Sequence, residues 1–329
     1  MILADDSPFL CGLLSAQLKK AEGFDVVACV NQGKAVLPKI KELRPDAVSL
    51  GLNFPDADGL DVLSQIMREH PVPVVVLTGT GGRFAFRVAR AMDLGAADYV
   101  LKFVPGKRTA PAELTAAIVR KLRAAASTKV MRLRASPERS GTKGSRDLVV
   151  IGASTGGPAA LAELLRQLPA NFPAAVLVIQ HMPAKFTKTF AERLNKLCAM
   201  PVTEASRGDI LTPGSIRIAP GGFHLSVESG GRLRLYPAGE RPGNCPSVDL
   251  AMESAAKVFG SRMVGVLLTG MGSDGAVGLA AIRKNDGGTY VQDLESCAVP
   301  GMPGAALRQG LADKIAKPDE LGRLLVRDI

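Results

Sequence analysis

The sequence predicts an α/β protein of two domains, each a parallel sheet covered by helices, and three observations lead to it. The 329 residues exceed the roughly 100–200 that one domain usually holds. Short apolar runs rich in β-branched residues alternate with amphipathic stretches of helical period, and strands that alternate with helices pair in parallel. Between residues 124 and 146 the alternation stops in a stretch rich in Ser, Gly and basic residues, which reads as a flexible linker. The expected organisation is a first domain over 1–123, a linker over 124–146 and a second domain over 147–329.

In the first domain the runs 2–4, 25–29, 47–50, 72–77 and 98–101 have the length and composition of strands. The stretches 9–20, 34–43, 60–70 and 83–94 carry the helical pattern between them. In the second domain 148–151, 174–179 and 263–268 are apolar runs suited to buried strands. The segments 215–219, 223–227 and 232–236 read together as a β-hairpin region. Open parallel sheets bind ligands beyond the C-terminal ends of their strands, so the residues just past each run are the functional candidates.

Composition narrows the function. Hydrophobic residues make up 47% and charged residues 22%, values of an ordinary globular chain. No apolar run approaches the roughly 18–20 residues of a membrane helix, so no membrane insertion is expected. The first six residues lack the basic and then apolar pattern of a secretory signal, and none is expected. Cys11, Cys29, Cys198, Cys245 and Cys297 lie far apart with no CxxC pair, which points to reduced structural thiols in a cytoplasmic protein rather than to zinc or disulfides. The net charge of +10 is concentrated: nine Lys or Arg against one acid between residues 120 and 146 account for eight of those charges. With aromatics at 4% and no Trp, the excess reads as a solvated linker, and no nucleic acid is expected as a partner.

At the strand ends of the first domain stand Asp5 and Asp6 after the first run, Thr78 after the fourth and Lys102 after the fifth. Asp5 and Asp6 have two readings, an Asx turn or cap before the next helix, or a cation site that relieves their mutual repulsion. The pieces ADDS, PDADGL, LTGT and LGAADYVLK resemble the receiver domain of two-component response regulators over nearly all of 1–123. The resemblance implies a flavodoxin-like fold. It also implies a pocket in which the Asp5–Asp6 pair holds magnesium beside a phosphorylated aspartate while Thr78 and Lys102 contact the phosphoryl group, with Tyr99 in the place of a switch aromatic. The segment SLGLNFPDADGL departs from the pattern, because Gly51 stands in the phosphoacceptor position. Asp56 and Asp58 lie out of register, and Phe103 replaces the usual Pro after the Lys. No phosphosite is therefore expected there, and no metal is assigned.

The second domain opens with strand, Gly-rich turn and helix. Gly152-Ala153-Ser154-Thr155-Gly156 matches GxSxG, and Pro158 suits a first helical turn. The turn fits a phosphate cradle or a nucleophile elbow, with no acidic ribose partner in register and no GK[ST] to favour a nucleotide. His181 follows the run 174–179, and Asp274 follows 263–268. Each has an ordinary alternative: Ser154 and Asp274 as helix caps, His181 as a hydrogen-bonded loop residue. Together, three triad-type residues on three strand ends favour nucleophilic catalysis in the chain order Ser–His–Asp. His224, in the hairpin region, is the rival base.

GASTGGP, VIQHMP, GDILTPGSIRIAPGGFHL, PSVDLAMESAA, LLTGMGSDGA and GMPGAAL closely resemble the catalytic domain of the bacterial chemotaxis protein-glutamate methylesterases, over 147–329. The resemblance implies a doubly wound α/β esterase domain with a hairpin. It implies hydrolysis of glutamate methyl esters on chemoreceptors and deamidation of receptor glutamines, with no cofactor. It places the nucleophile at Ser154, the base at His181, the orienting carboxylate at Asp274 and oxyanion contacts at the backbone of Thr155 and Met271. Implied partners are the cytoplasmic domains of methylated chemoreceptors and a histidine kinase or other signalling protein docking on the receiver. Pro300 stands where an aromatic is common. The competing class is a non-enzymatic partner-binding protein that keeps the esterase fold, which covalent capture by a serine-directed phosphonate distinguishes.

Overall fold

The computed structural model describes residues 1–19, 23–79, 87–88, 90–92, 94–102, 111–126, 146–184, 186–240 and 243–329. It divides into two compact units, Met1–Thr128 and Lys129–Ile329.

The first unit has strands β1 (Ile2–Ala4), β2 (Ala28–Val30), β3 (Val48–Gly51), β4 (Val74–Thr78) and β5 (Asp98–Leu101). They pair in parallel in the order β2-β1-β3-β4-β5, the flavodoxin-like order. Helices α1 (Pro8–Leu18), α2 (Gly33–Leu43), α3 (Gly59–Glu69) and α4 (Pro111–Ala126) accompany it. Leu14 and Leu18 of α1 and Ile118 and Leu122 of α4 bury against Leu3, Val75 and Leu77 of the sheet. Each such side chain contributes about 1.5–3 kcal/mol on burial. The expected strand 25–29 forms later, at Ala28–Val30. Of the expected helix 83–94, residues 87–88 and 90–92 are described and are helical. The expected linker 124–146 lies outside the described residues from 127 to 145. At its start α4 continues through Ala126, and at its end Arg146 Nη1 donates to the carbonyl of Met263 at 2.8 Å, which ties it to the second unit.

The second unit is a seven-stranded, wholly parallel sheet of β6 (Leu148–Ala153), β7 (Ala175–Gln180), β8 (Val202–Glu204), β9 (Ile216–Ile218), β12 (Met263–Leu267), β13 (Gly288–Gln292) and β14 (Lys314–Ala316). The strand order is β14-β13-β12-β6-β7-β9-β8. β10 (Phe223–Glu228) and β11 (Arg232–Pro237) form a separate antiparallel hairpin. The segment expected at 215–219 is thus not part of the hairpin: β9 joins the main sheet beside β7, where Ile216 and Ile218 are buried. Helices α5 (Gly157–Leu165), α6 (Phe186–Asn195), α7 (Val248–Phe259), α8 (Ala276–Lys284), α9 (Gly301–Arg308) and α10 (Pro318–Asp328) complete the unit. From β6 the chain moves outward to β7, then returns to lay β12 on the opposite side of β6. Such a reversal opens a crevice above the strand ends, here between β6 and β12.

Candidate active site

β6, buried along its whole length, delivers Ser154 to the crevice. The turn after it is tight. Gly156, at a φ of 78°, caps α5, and a Cβ there would meet that of Ala298 at 2.4 Å. A Cβ on Gly270 would meet Ser154 Cβ at 2.7 Å. Glycine at these two places lets the loops after β12 and β13 press against the Ser154 loop. Ser154 N–H donates to the carbonyl of Thr269 at 3.0 Å, and its own carbonyl accepts from Gly157 N–H at 2.8 Å and from Gln180 Nε2 at 2.9 Å. The Ser154 side chain caps no helix, since α5 has a glycine at its N-cap with no side-chain bond. Ser154 Oγ forms no hydrogen bond among the described residues.

His181 follows β7 directly, and its N–H donates to the carbonyl of Ala153 at 3.0 Å, beside Ser154. Its Nε2 lies 2.8 Å from Asp274 Oδ2. The partners are 93 residues apart in the chain, and their side chains are 14% and 9% exposed. A carboxylate only accepts, so Nε2 carries the proton and Nδ1 is left as the basic nitrogen. Gln180 Nε2 also reaches the His181 carbonyl at 3.1 Å, so one side chain ties the Ser154 loop to the His181 loop.

Asp274 is held by another helix. Oδ2 accepts from Val248 N–H at 3.0 Å, and Oδ1 accepts from Asp249 N–H at 2.9 Å and Ser247 Oγ at 3.3 Å. These are the free donors of the first turn of α7, where the helix dipole favours an anion. Burial works to raise the Asp274 carboxyl. The His181 hydrogen bond and the two backbone donors outweigh it and hold the group at about 2. As a cap of its own helix Asp274 does not serve: the N-cap of α8 is Gly275. Ser247, Asp249 and Gln180 carry no role in the sequence reading. The signal for the first two lay in PSVD, where Ser is a typical N-cap before an acidic first turn.

His224, the rival base, is 1% exposed on β10 opposite Tyr236 and belongs to the hairpin. Pro300 pairs with Gly270 in an isolated bridge and caps α9.

In the first unit, Asp5, Asp6 and Lys102 come together. Lys102 Nζ lies 2.5 Å from Asp5 Oδ2 and 3.5 Å from Asp6 Oδ1. Asp5 is nearly fully buried, and that burial outweighs the lysine and raises its carboxyl. Asp5 Oδ1 also accepts Ser7 N–H at 3.2 Å, the turn-type bond weighed as one reading, while Ser7 caps α1. Thr78 is buried at the end of β4. Gly51 ends β3 with its Cβ direction 2.7 Å from Asp5 Oδ2, so it faces the same pocket. With Gly51 in the third position, the pocket offers a cation two carboxylates, and Lys102 competes for both of them. Tyr99 is buried, with Lys121 Nζ 5.1 Å from its ring centre. Phe103 lies outside the described residues.

Comparison with known proteins agrees with both units. The CheB methylesterase family matches residues 149–325, and the response regulator receiver domain matches residues 1–118. The chain is 37% identical over 340 residues to a protein-glutamate methylesterase/protein-glutamine glutaminase of Syntrophotalea carbinolica, covering 99% of this chain and 96% of the relative. It is 39% identical over 341 residues to the protein of the same name from Bordetella bronchiseptica, with the same coverage of each. The crystal structure of the Thermotoga maritima CheB methylesterase catalytic domain superimposes with a TM-score of 0.54 at 36% identity, covering 56% of this chain and all of that one. On the strength of a family match that spans most of the second unit and relatives aligned end to end, the chain belongs to the CheB methylesterase family.

Proposed function

We propose that this chain hydrolyses the side-chain methyl esters of glutamates on chemoreceptor cytoplasmic domains, and deamidates receptor glutamines, with Ser154, His181 and Asp274 as its catalytic residues. The observation that carries the reading is the 2.8 Å bond between His181 Nε2 and Asp274 Oδ2 at the crevice beside the Ser154 turn. In this reading Ser154 Oγ attacks the ester carbonyl and its proton passes to His181 Nδ1. Asp274 keeps the imidazole in the tautomer that leaves Nδ1 free, and stabilises the imidazolium that forms. The backbone N–H groups of Thr155 and Met271 hold the oxyanion of the tetrahedral intermediate. The intermediate expels the methoxy group, which takes the proton from His181 and leaves as methanol. Water then attacks the acyl-enzyme, His181 accepts its proton, and the ester bond to Ser154 breaks to release glutamate and restore the hydroxyl. An amide follows the same path with ammonia as the leaving group.

The ring is turned relative to the familiar triad, in which Nδ1 faces the aspartate and Nε2 the serine. A Ser154 hydroxyl with no partner among the described residues is compatible with this chemistry, because catalytic hydrogen bonds often tighten only once substrate is bound.

The receiver, in this proposal, is a docking module for a histidine kinase or another signalling protein and is not phosphorylated at the usual position, because Gly51 offers no carboxylate. The domain limits 1–123 and 147–329 and a cytoplasmic location belong to the same proposal. Among the described residues no helix is long and apolar enough to cross a membrane.

Methanol release from methylated receptors by the purified protein tests the activity. Ser154→Ala should lower turnover on the order of 10⁴-fold or more with the fold intact, and abolish capture by a serine-directed phosphonate. Near-wild-type turnover in that variant would remove Ser154 from the mechanism.

A further inference from the structure

We propose that Asp249 is a positioning residue for this chemistry, its carboxylate latching the N-terminus of α8 to that of α7 so that Asp274 is held where it meets His181. The inference rests on the Ser154–His181–Asp274 reading and extends it to a residue outside the triad.

The contacts are reciprocal. Asp274, the residue before Gly275, places its carboxylate on the first-turn N–H groups of Val248 and Asp249 in α7. Asp249 sends its own carboxylate the other way: Oδ1 accepts from Gly275 N–H at 2.8 Å and from Gly278 N–H at 2.7 Å, the free donors at the start of α8. Each helix is thus capped by an acid of the other. An acid in a first turn ordinarily serves the dipole of its own helix. Asp249 instead spends both described side-chain bonds 26 and 29 residues away, on the segment that carries Asp274.

The backbone is shaped for the exchange. Gly275 stands at a φ of 99°, where an L side chain is strained, and a Cβ there would meet Leu267 Cδ1 at 2.3 Å. A Cβ on Gly278 would meet that of Met252 at 2.6 Å and lie 3.3 Å from Asp249 Cα. Glycine at 278 therefore lets α8 approach α7 closely enough for one carboxylate to span them.

The arrangement also carries a cost. Burial, with the charge of Asp274 added to it, pushes the Asp249 carboxyl up to about 6, even though the Gly275 and Gly278 donors oppose the shift. Two neighbouring acids are unfavourable unless something requires both. A cap by itself could be supplied by a neutral Ser or Asn. What a neutral residue would have to match is the direction of the two bonds, and this makes the role positional and testable.

The test measures kcat and KM for methyl-ester hydrolysis in the full chain carrying Asp249→Ala, Asp249→Glu or Asp249→Asn, with Ser154→Ala in parallel. Asp249→Ala removes the latch, and Asp249→Glu displaces its carboxylate by one methylene. Both should lower kcat about a hundredfold, the effect expected of a misplacement near 1 Å, with KM little changed. Asp249→Asn keeps an oxygen for Gly275 and Gly278 and should stay close to wild type. Normalising kcat to folded protein by circular dichroism separates positioning from stability. If Asp249→Ala does not fold, Asp249→Glu against Asp249→Asn carries the same contrast. The proposal is overturned if the Ala or Glu variant keeps wild-type kcat per folded molecule, or if the Asn variant loses as much as they do. Wild-type turnover in Ser154→Ala would instead overturn the triad reading on which the latch depends.

Discussion

Replacing Asp274 by Asn changes one atom and should separate catalysis from capping. Among the described residues the carboxylate accepts four hydrogen bonds: Oδ2 from His181 Nε2 and Val248 N–H, Oδ1 from Asp249 N–H and Ser247 Oγ. An amide has one accepting oxygen and one donating nitrogen. If the oxygen stays on Asp249 N–H, the new NH₂ faces His181 and Val248 N–H. It then donates to Nε2, moves the imidazole proton to Nδ1 and removes the base. If the amide flips, its oxygen keeps the His181 proton on Nε2, but the negative charge that stabilises the imidazolium is gone, and the NH₂ opposes the Asp249 N–H, so a buried donor goes unpaired at about 1–3 kcal/mol. Either way some stability is lost. Holding this carboxyl at about 2 rather than its ordinary 3.8 corresponds to roughly 2 kcal/mol at neutral pH, at about 1.4 kcal/mol per pKa unit. Because the folded value is the lower one, that contribution is present above about pH 4 and fades as pH falls through about 2. A loss of this size leaves most of an ordinary domain folded. Catalysis should fall far more, on the order of 10⁴-fold in kcat, or about 5.5 kcal/mol of transition-state stabilisation. The assay is methanol release per folded molecule at pH 7 to 8, with urea unfolding measured in the same buffer. Activity within tenfold of wild type would refute the requirement for a carboxylate at 274, both in setting the tautomer and in stabilising the imidazolium. Activity lost only in proportion to the unfolded fraction would make Asp274 a cap and no more.

Two further outcomes test the first unit and the join. Incubation with acetyl phosphate and magnesium should give no acid-labile phosphate and no change in esterase rate, because Gly51 has no nucleophile and Asp5 is paired with Lys102. Stoichiometric labelling with a rise in rate would sink that view. Limited trypsin should cut between residues 124 and 145, where basic residues are dense, and leave an active C-terminal fragment beginning near Arg146, whose side chain is tied to Met263. Earlier cuts inside 147–329 would refute the proposed boundary.

Much of the architecture was legible in the sequence because it is local. Apolar runs of strand length alternating with helical periods are enough to predict parallel sheets, and glycines around Ser154 announce a sharp turn after a buried strand. Ser154, His181, Asp274, Asp5, Asp6, Thr78 and Lys102 could all be assigned to strand ends from the runs before them. The choice of Ser154, His181 and Asp274 over their ordinary alternatives drew on the joint pattern and on the family resemblance. Tertiary structure decided what depends on strand order. β7 and β12 flank β6 on its two sides, and only that order brings His181 and Asp274, 93 residues apart, within 2.8 Å. It decided which ring nitrogen meets the carboxylate, that Ile216–Ile218 joins the main sheet and not the hairpin, and that Asp5 pairs with Lys102. The exchange of caps between Asp249 and Asp274 was likewise invisible in the sequence. A first-turn acid looks the same in one dimension whether it serves its own helix or another, because the partner is chosen by how two helices pack, a property of no single segment.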